Sequence, residues 1–340
     1  PRPALACGSR LNERAARPDR APDIRMIPAP FQNALVLTGP TGSGKTGLGV
    51  ELAERLGAEI VSMDSMALYR GMDIGTAKPV PKERRRVPHH LIDVLDPWES
   101  ASVAWWLERA AACCRDIESR GQRVLFVGGT PLYLKALLYG LFDGPAADPE
   151  VRQRLTEEAE RLGRQALHDR LGRFDPITAA RLHPNDLRRV VRALEVWELT
   201  GRPISAWQQQ SCVVGDNSRP ASDHGRRTTD QVLCLELPRA ELYDRINARV
   251  RRMIDDGLVD EVQALRGLPQ PLSKQAAQAL GYKEMFDHLD GRATLEQSVV
   301  RIQTRSRNLA KRQLTWFRQL RACRPATPEL TFRWWGLTIE

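Results

Sequence analysis

The stretch LVLTGPTGSGKTGLGV, running from Leu35 to Val50, restricts the possible folds more than any other part of the chain. Gly39, Gly44, Lys45 and Thr46 occupy the four fixed positions of G-x-x-x-x-G-K-[ST], the loop that wraps phosphate. The apolar run Ala34–Thr38 before it reads as a buried strand. The pattern after it reads as a helix to Leu56, with Gly57 where a left-handed cap is favoured. Loop amides, the helix N-terminus and the Lys45 ammonium can together hold phosphate oxygens, and the Thr46 hydroxyl suits a magnesium ion. Gly39, Pro40, Thr41, Gly42, Ser43, Gly44, Lys45 and Thr46 are therefore the expected cradle for a di- or triphosphate. The loop by itself does not say which molecule carries that phosphate.

The alternation continues. Glu59–Met63 reads as a second strand ending at Asp64-Ser65. Ser102 is placed to cap a helix through Glu118, which Gly121 ends. Arg123–Val127 is a buried-type strand running into Gly128-Gly129-Thr130. Strands alternating with helices predict an α/β fold, a P-loop parallel sheet flanked by helices, with its active edge at the C-terminal ends of the strands. The P-loop, Asp64-Ser65 and Gly129-Thr130 then converge on one crevice. From Pro149 to Gln210 the pattern is helix after helix, with start signals at Asp175-Pro176 and Asn185-Asp186 and a stop at Gly201. We assign 146–210 to an inserted all-helical domain. Val232–Leu237 is expected to rejoin the sheet before further helices to about Leu320, so the core is assigned to 31–145 and 230–325. Residues 211–229, rich in Gly, Ser and Arg, read as a flexible loop. Residues 1–30, rich in Pro, Arg and Ala, read as a disordered extension in which Met26 is the first methionine and a candidate start.

Charge narrows the function. The 51 Lys and Arg exceed the 42 Asp and Glu, for a net charge of +9. No run approaches the roughly 18 apolar residues of a membrane helix, so no membrane partner is expected. Six cysteines without a C-x-x-C pair argue against a zinc site or a disulfide framework, and a cytoplasmic setting is expected. Between Gln297 and Pro328 there is no acidic residue, yet Arg301, Arg305, Arg307, Lys311, Arg312, Arg318, Arg321 and Arg324 all fall there. So one-sided a segment points to nucleic-acid phosphate, with Trp316 and Phe317 read as core. Arg188 and Arg189 lie in the first turn of a helix capped by Asn185 or Asp186, with Arg192 following. Cations there are disfavoured by about 0.3–1 kcal/mol each, which suggests a polyanion; a solvated face is the alternative. Arg245 and Arg249, four apart, share a helix face and either reach a diphosphate or lie on the surface. In a P-loop ATPase a later strand ends in an Asp for magnesium, whereas this one ends in Gly-Gly-Thr. Asp64 can serve the metal or act as a base. Thr130 can cap a helix or hold a substrate.

These residues together resemble the bacterial tRNA dimethylallyltransferases (tRNA isopentenyltransferases) from about Ala34 to Arg321. The resemblance is carried by GPTGSGKT at 39–46, DSMALYRGMDIGTAKP at 64–79, VGGTPLYLKALL at 127–138, DPEVR at 148–152, HPNDLRRVVRALEV at 183–196, LGYKEM at 280–285 and LAKRQLTWFR at 309–318. It implies transfer of a dimethylallyl group from dimethylallyl diphosphate to the exocyclic N6 of the adenosine at position 37, in the anticodon stem-loop of tRNA. It also implies that the P-loop holds the donor's diphosphate with Mg2+ at Thr46. Asp64 is then the expected base, Thr130 orients the amine, and Arg245 helps Lys45 hold the leaving diphosphate. RNA contacts are implied for Asp64, Ser65, Met66, Ala67, Thr130 and Arg152, for Arg188, Arg189, Val190, Val191 and Arg192, and for Gln278, Gly281, Tyr282 and Lys283. Many members have Gln where this chain has Ala67. The cysteine count excludes the zinc finger of eukaryotic relatives, and a monomer is expected. Two other readings compete: a P-loop small-molecule or nucleoside kinase with Asp64 as acceptor base, and a nucleotide-switched RNA-binding protein.

Overall fold

The computed structural model describes residues 30–141, 144–211 and 231–337. Apart from Pro30 and Ser211, the segments expected to be disordered or flexible lie outside the described residues. Among the described residues six strands form one sheet: β1 (Leu35–Thr38), β2 (Ala58–Ser62), β3 (His89–His90), β4 (Arg123–Gly128), β5 (Val232–Leu235) and β6 (Arg324–Ala326). All pairings are parallel, in the order β3-β2-β4-β1-β5-β6. The central strands are apolar throughout because both faces are covered. Val36, Phe126 and Val232 face one layer, against Trp106 and Tyr133. Leu37, Leu125 and Leu233 face the other, against Val50 and Leu52.

The Lys45–Leu56 helix closes as the sequence predicts, with Gly57 in the left-handed region at φ 59°. Ser102 caps the Val103–Ser119 helix by accepting the Trp105 N–H at 3.1 Å. The second strand lies one residue earlier than its pattern suggested. Strands β3 and β6 and the Pro328–Trp334 helix have no counterpart in the sequence reading. A two-residue strand has no period to detect, and Pro325 argues against a strand except at an edge, which is where β6 lies. Ala326, Phe332 and Trp335 enter the second core layer, so the sheet's cover extends past residue 325.

Five helices run between Pro149 and Ser211 around their own apolar cluster, which includes Leu155, Leu171, Val190 and Leu194. Buried Asp175 organises their turns, accepting from the N–H groups of Thr178 and Ser205 and from the Thr178 hydroxyl. The basic segment is a single helix, Leu295–Gln319. It buries Ile302, Ser306, Ala310, Gln313 and Phe317 as one stripe, and Trp316 is half-buried. No helix among the described residues is long and apolar enough to cross a membrane.

Candidate active site

Three strand ends meet at one edge of the sheet. Thr38 pairs with Gly128 in register, and its hydroxyl donates to the Gly128 carbonyl at 2.9 Å. The Met63 N–H donates to Val127 at 2.8 Å, and the Thr130 N–H donates to Met63 at 3.2 Å. This convergence explains the glycine pair. A Cβ on Gly128 would lie 2.2 Å from the Met63 carbonyl oxygen, and one on Gly129 would lie 3.1 Å from the Gly39 oxygen. The ends of β1, β2 and β4 can approach this closely only without side chains at 128 and 129.

The P-loop bends over this edge. Gly44 takes φ 84° at the N-cap and makes no side-chain cap, and no acidic residue lies in the first turn of the helix. The leading amides are therefore left for a ligand. The Ser43 hydroxyl is buried with no hydrogen-bond partner, an orphan inside the loop that suits an incoming phosphate oxygen. Burial lowers the Lys45 ammonium to about 8; the Asp64 carboxylate opposes that shift and Arg249 adds to it. Lys45 and Asp64 thus lie within electrostatic reach of each other. The Asp64 carboxylate accepts the Met66 N–H at 2.9 Å, and the Thr130 hydroxyl accepts the Ser65 N–H at 3.0 Å. Thr130 holds the N-cap position of the Pro131–Tyr139 helix but makes no side-chain cap, so its hydroxyl serves the Asp64-Ser65 turn instead.

The two candidate arginines of the Arg239–Asp255 helix differ in placement. Arg245 is half-exposed, pairs with Glu241 at 2.7 Å, and lies beside Gly44. Arg249 goes deeper. Its Nη2 donates to the Thr41 hydroxyl at 2.6 Å, its Nε is buried without a partner, and burial lowers its pKa. Spacing alone left Arg249 undecided, and the structure brings it into the loop. Gln313, which the sequence reading missed, accepts the Thr41 N–H at 2.9 Å and donates to the Gly129 carbonyl at 2.6 Å. Its one sequence signal is a long polar side chain on the buried stripe of the Leu295–Gln319 helix, whose other polar members, Ser298 and Ser306, are small.

The segment from Asp64 to Pro79 is held from outside. The Glu261 carboxylate accepts the N–H groups of Asp73, Ile74 and Gly75 and the Tyr282 hydroxyl. Buried Lys78 donates to the Tyr69 carbonyl and to both Asp73 and Asp93.

The residues expected to touch RNA divide into two groups. Arg188 and Arg189 are exposed, and Arg189 sits 3.3 Å from Asp186. Gln278 is also exposed, while Ser65 and Met66 are half-buried. Lys283 is half-buried beside Asp287, and Gly281 stands at the N-cap of its helix with φ 96°. Ala67, Val190, Val191 and Tyr282 are buried, so their side chains pack inside the protein. Arg152 and Arg192 both bond Glu195, which is fully buried, and Arg192 also donates to the Pro145 carbonyl. Burial would raise the Glu195 carboxyl, but these arginines and the Asp148 N–H more than offset it, and it titrates below the usual glutamate value.

The fold and the site define a P-loop α/β protein with a helical insertion, whose P-loop lies beside an aspartate and a threonine at neighbouring strand ends. The comparisons narrow this class. The model of the IPP transferase family matches residues 67–320, and that of isopentenyl transferases matches 32–92. The chain is 46% identical over 289 residues to the tRNA dimethylallyltransferase of Geobacter metallireducens, covering 84% of this chain and 89% of that one. It is 43% identical over 310 residues to the Geobacillus kaustophilus enzyme of the same name, covering 90% and 91%. The crystal structure of the tRNA isopentenylpyrophosphate transferase from Bacillus halodurans superposes with a TM-score of 0.60 at 42% identity, covering 87% of this chain and 90% of that one. A eukaryotic dimethylallyltransferase acting on tRNA gives 0.67 at 26% identity, covering 88% and 75%. The chain belongs to the IPP transferase family.

Proposed function

We propose that the chain transfers a dimethylallyl group from dimethylallyl diphosphate to the exocyclic N6 of the adenosine at position 37 of tRNA, giving N6-isopentenyladenosine. The observation that carries this reading is the shared crevice. Asp64 and Thr130 stand at strand ends beside the phosphate loop, and β4, where an ATPase would place an acidic metal ligand, runs into Gly129-Thr130. Asp64 beside the loop would also suit a kinase, and it is the similarity to tRNA dimethylallyltransferases that favours prenyl transfer over that reading.

The adenine amine is a weak nucleophile because its lone pair is delocalised into the ring. As its nitrogen bonds to the allylic carbon it must lose a proton, and Asp64 accepts it. The Thr130 hydroxyl, already fixed by the Ser65 N–H, orients the amine. The carbon–oxygen bond to the diphosphate breaks, and the electron pair leaves with the diphosphate. Lys45, Arg249 and the loop amides stabilise that charge, and Arg245 joins them on parting from Glu241.

The site fits a magnesium diphosphate. Among the described residues no three or more His, Cys, Asp or Glu side chains converge to hold a metal. The Thr46 hydroxyl would then be the protein's ligand, with phosphate oxygens supplying others, a common arrangement for Mg2+. The ion would neutralise charge on the leaving group. We assign the helical segment 146–210 to the anticodon stem-loop through exposed Arg188 and Arg189. A base in a single-stranded loop can be splayed into the crevice at lower cost than one in a duplex.

Incubating the protein with magnesium, dimethylallyl diphosphate and unmodified tRNA, then weighing the digested nucleosides, tests the reading. Prenylated adenosine is the expected product. Its absence with folded protein, or phosphate transfer from ATP to a small alcohol, would overturn the proposal.

A further inference from the structure

Gln313 occupies a position that only a primary amide fills well. It is 7% exposed, on the inner stripe of the Leu295–Gln319 helix, and its side chain enters the seam between the P-loop and the end of β4. Its Oε1 accepts the Thr41 N–H at 2.9 Å and its Nε2 donates to the Gly129 carbonyl at 2.6 Å. A carboxylate could accept but not donate, and an ammonium could donate but not accept. The contacts span 272 and 184 residues of sequence, so they join elements that share no local connection. The fit is close on the other side as well: a Cβ on Gly129 would come within 2.8 Å of the Gln313 Nε2. Thr41 is held from a second direction by Arg249, whose Nη2 donates to its hydroxyl at 2.6 Å. With both its N–H and its hydroxyl engaged by protein, Thr41 serves as an anchor of the loop, and the amides nearer the helix face the phosphates.

We propose that Gln313 is a positioning residue for the transfer: by bridging Thr41 and Gly129 it fixes the distance between the loop that holds the diphosphate donor and the strand end that presents Thr130 to the acceptor amine. The proposal rests on the prenyl-transfer reading of this site. Bond formation demands near-contact alignment of the allylic carbon and the amine nitrogen, and a misplacement of about 1 Å can cost about 10²-fold in rate. A residue that sets this gap acts on the rate of the chemical step more than on the affinity for either substrate.

The test compares wild type with Gln313→Met, which keeps the length and bulk without either hydrogen bond, and Gln313→Glu, which keeps only the acceptor. Single-turnover transfer is measured with both substrates saturating, and the affinities for dimethylallyl diphosphate and for tRNA are measured separately. For Gln313→Met we expect a transfer rate lower by about 10²-fold and both affinities within about threefold of wild type. Gln313→Glu should also slow transfer, and should weaken donor binding through its added negative charge. Wild-type rates in either variant would overturn the proposal. So would a loss that saturating donor restores, because it would make Gln313 a donor-binding group only. Should Gln313→Met melt early, the isosteric Gln313→Glu decides the question through the same rate at saturating substrates. Absence of product from wild type would instead sink the prenyl-transfer reading, which keeps the two failures distinct.

Discussion

Burial holds the Lys45 ammonium at about 8, below the value of a free lysine, and this sets a pH limit on donor binding. A bound diphosphate favours the charged form of Lys45. Below about pH 8 the ammonium is already charged and binding has its full affinity. Above it, binding must take up a proton, and affinity should fall by up to about tenfold per pH unit. The donor itself does not confuse the reading, since a phosphate ester loses its last proton near pH 6. Titrating dimethylallyl diphosphate by calorimetry between about pH 7 and 9.5 should show this break, and Lys45→Met should bind weakly without it. Retention of the break in Lys45→Met would assign it to another group. Asp64 calls for a different measurement. Its carboxylate touches the Met66 N–H and faces the crevice from the turn after β2. Asp64→Asn keeps that hydrogen bond and removes the base, so turnover should drop about 10²–10⁴-fold while tRNA affinity stays within about twofold. Equal losses of binding and turnover would make Asp64 a contact only.

The segment Asp64–Pro79 shows how elements distant in sequence hold the base in place. Glu261 gathers three consecutive amides, those of Asp73, Ile74 and Gly75, and the Tyr282 hydroxyl. Glu261→Gln turns one acceptor oxygen into a donor that faces N–H groups. Hydrogen exchange should then quicken across 64–79 and transfer should slow, while exchange in the 149–211 helices stays unchanged. Uniform loosening would refute a local clasp. Gly75→Ala probes the same contact by size. Its Cβ would lie 2.4 Å from the Tyr282 ring, which is fully buried and cannot withdraw, so a cost of about 1–3 kcal/mol and a lower melting temperature are expected. Such contacts also explain what the sequence could reveal. The P-loop, the Gly57 stop and the Ser102 cap are local chemistry, and each was readable from neighbouring residues. Glu261 meets Asp73 across 188 positions and Gln313 meets Thr41 across 272, and such pairings leave no local pattern. The resemblance pointed to Arg188–Arg192 as a continuous run, but a helix turns through about 100° per residue. Val190 and Val191 therefore face the core while Arg188 and Arg189 face outward.

The excess of +9 is not spread evenly over the molecule, and the structure sorts it by what each cation already holds. Glu195 engages Arg152 and Arg192, Glu284 engages Arg305, and Asn247 engages Arg307. Arg188 on the helical insertion, and Arg301, Lys311, Arg312 and Arg321 along and just beyond the Leu295–Gln319 helix, are exposed with no acidic partner among the described residues. A polyanion meets unpaired cations at less cost than paired ones, because no existing ion pair must be broken. The RNA interface should therefore draw on the insertion and on the basic helix, and the salt dependence of tRNA binding can apportion it. The logarithm of affinity falls with the logarithm of salt by about 0.7–0.9 for each phosphate neutralised. Replacing Arg188 and Arg189 with Gln should weaken tRNA binding and flatten that slope by about 1–2, and replacing Lys311 and Arg312 should do the same on the second surface. If both surfaces act on one RNA, the slope changes add in the fourfold variant, while transfer at saturating tRNA stays near wild type because all four side chains are exposed and none is among the groups assigned to the transfer step. An unchanged slope for the first pair would remove the insertion from the interface. An unchanged slope for the second would mean that the basic helix is concerned with Gln313 and the P-loop alone.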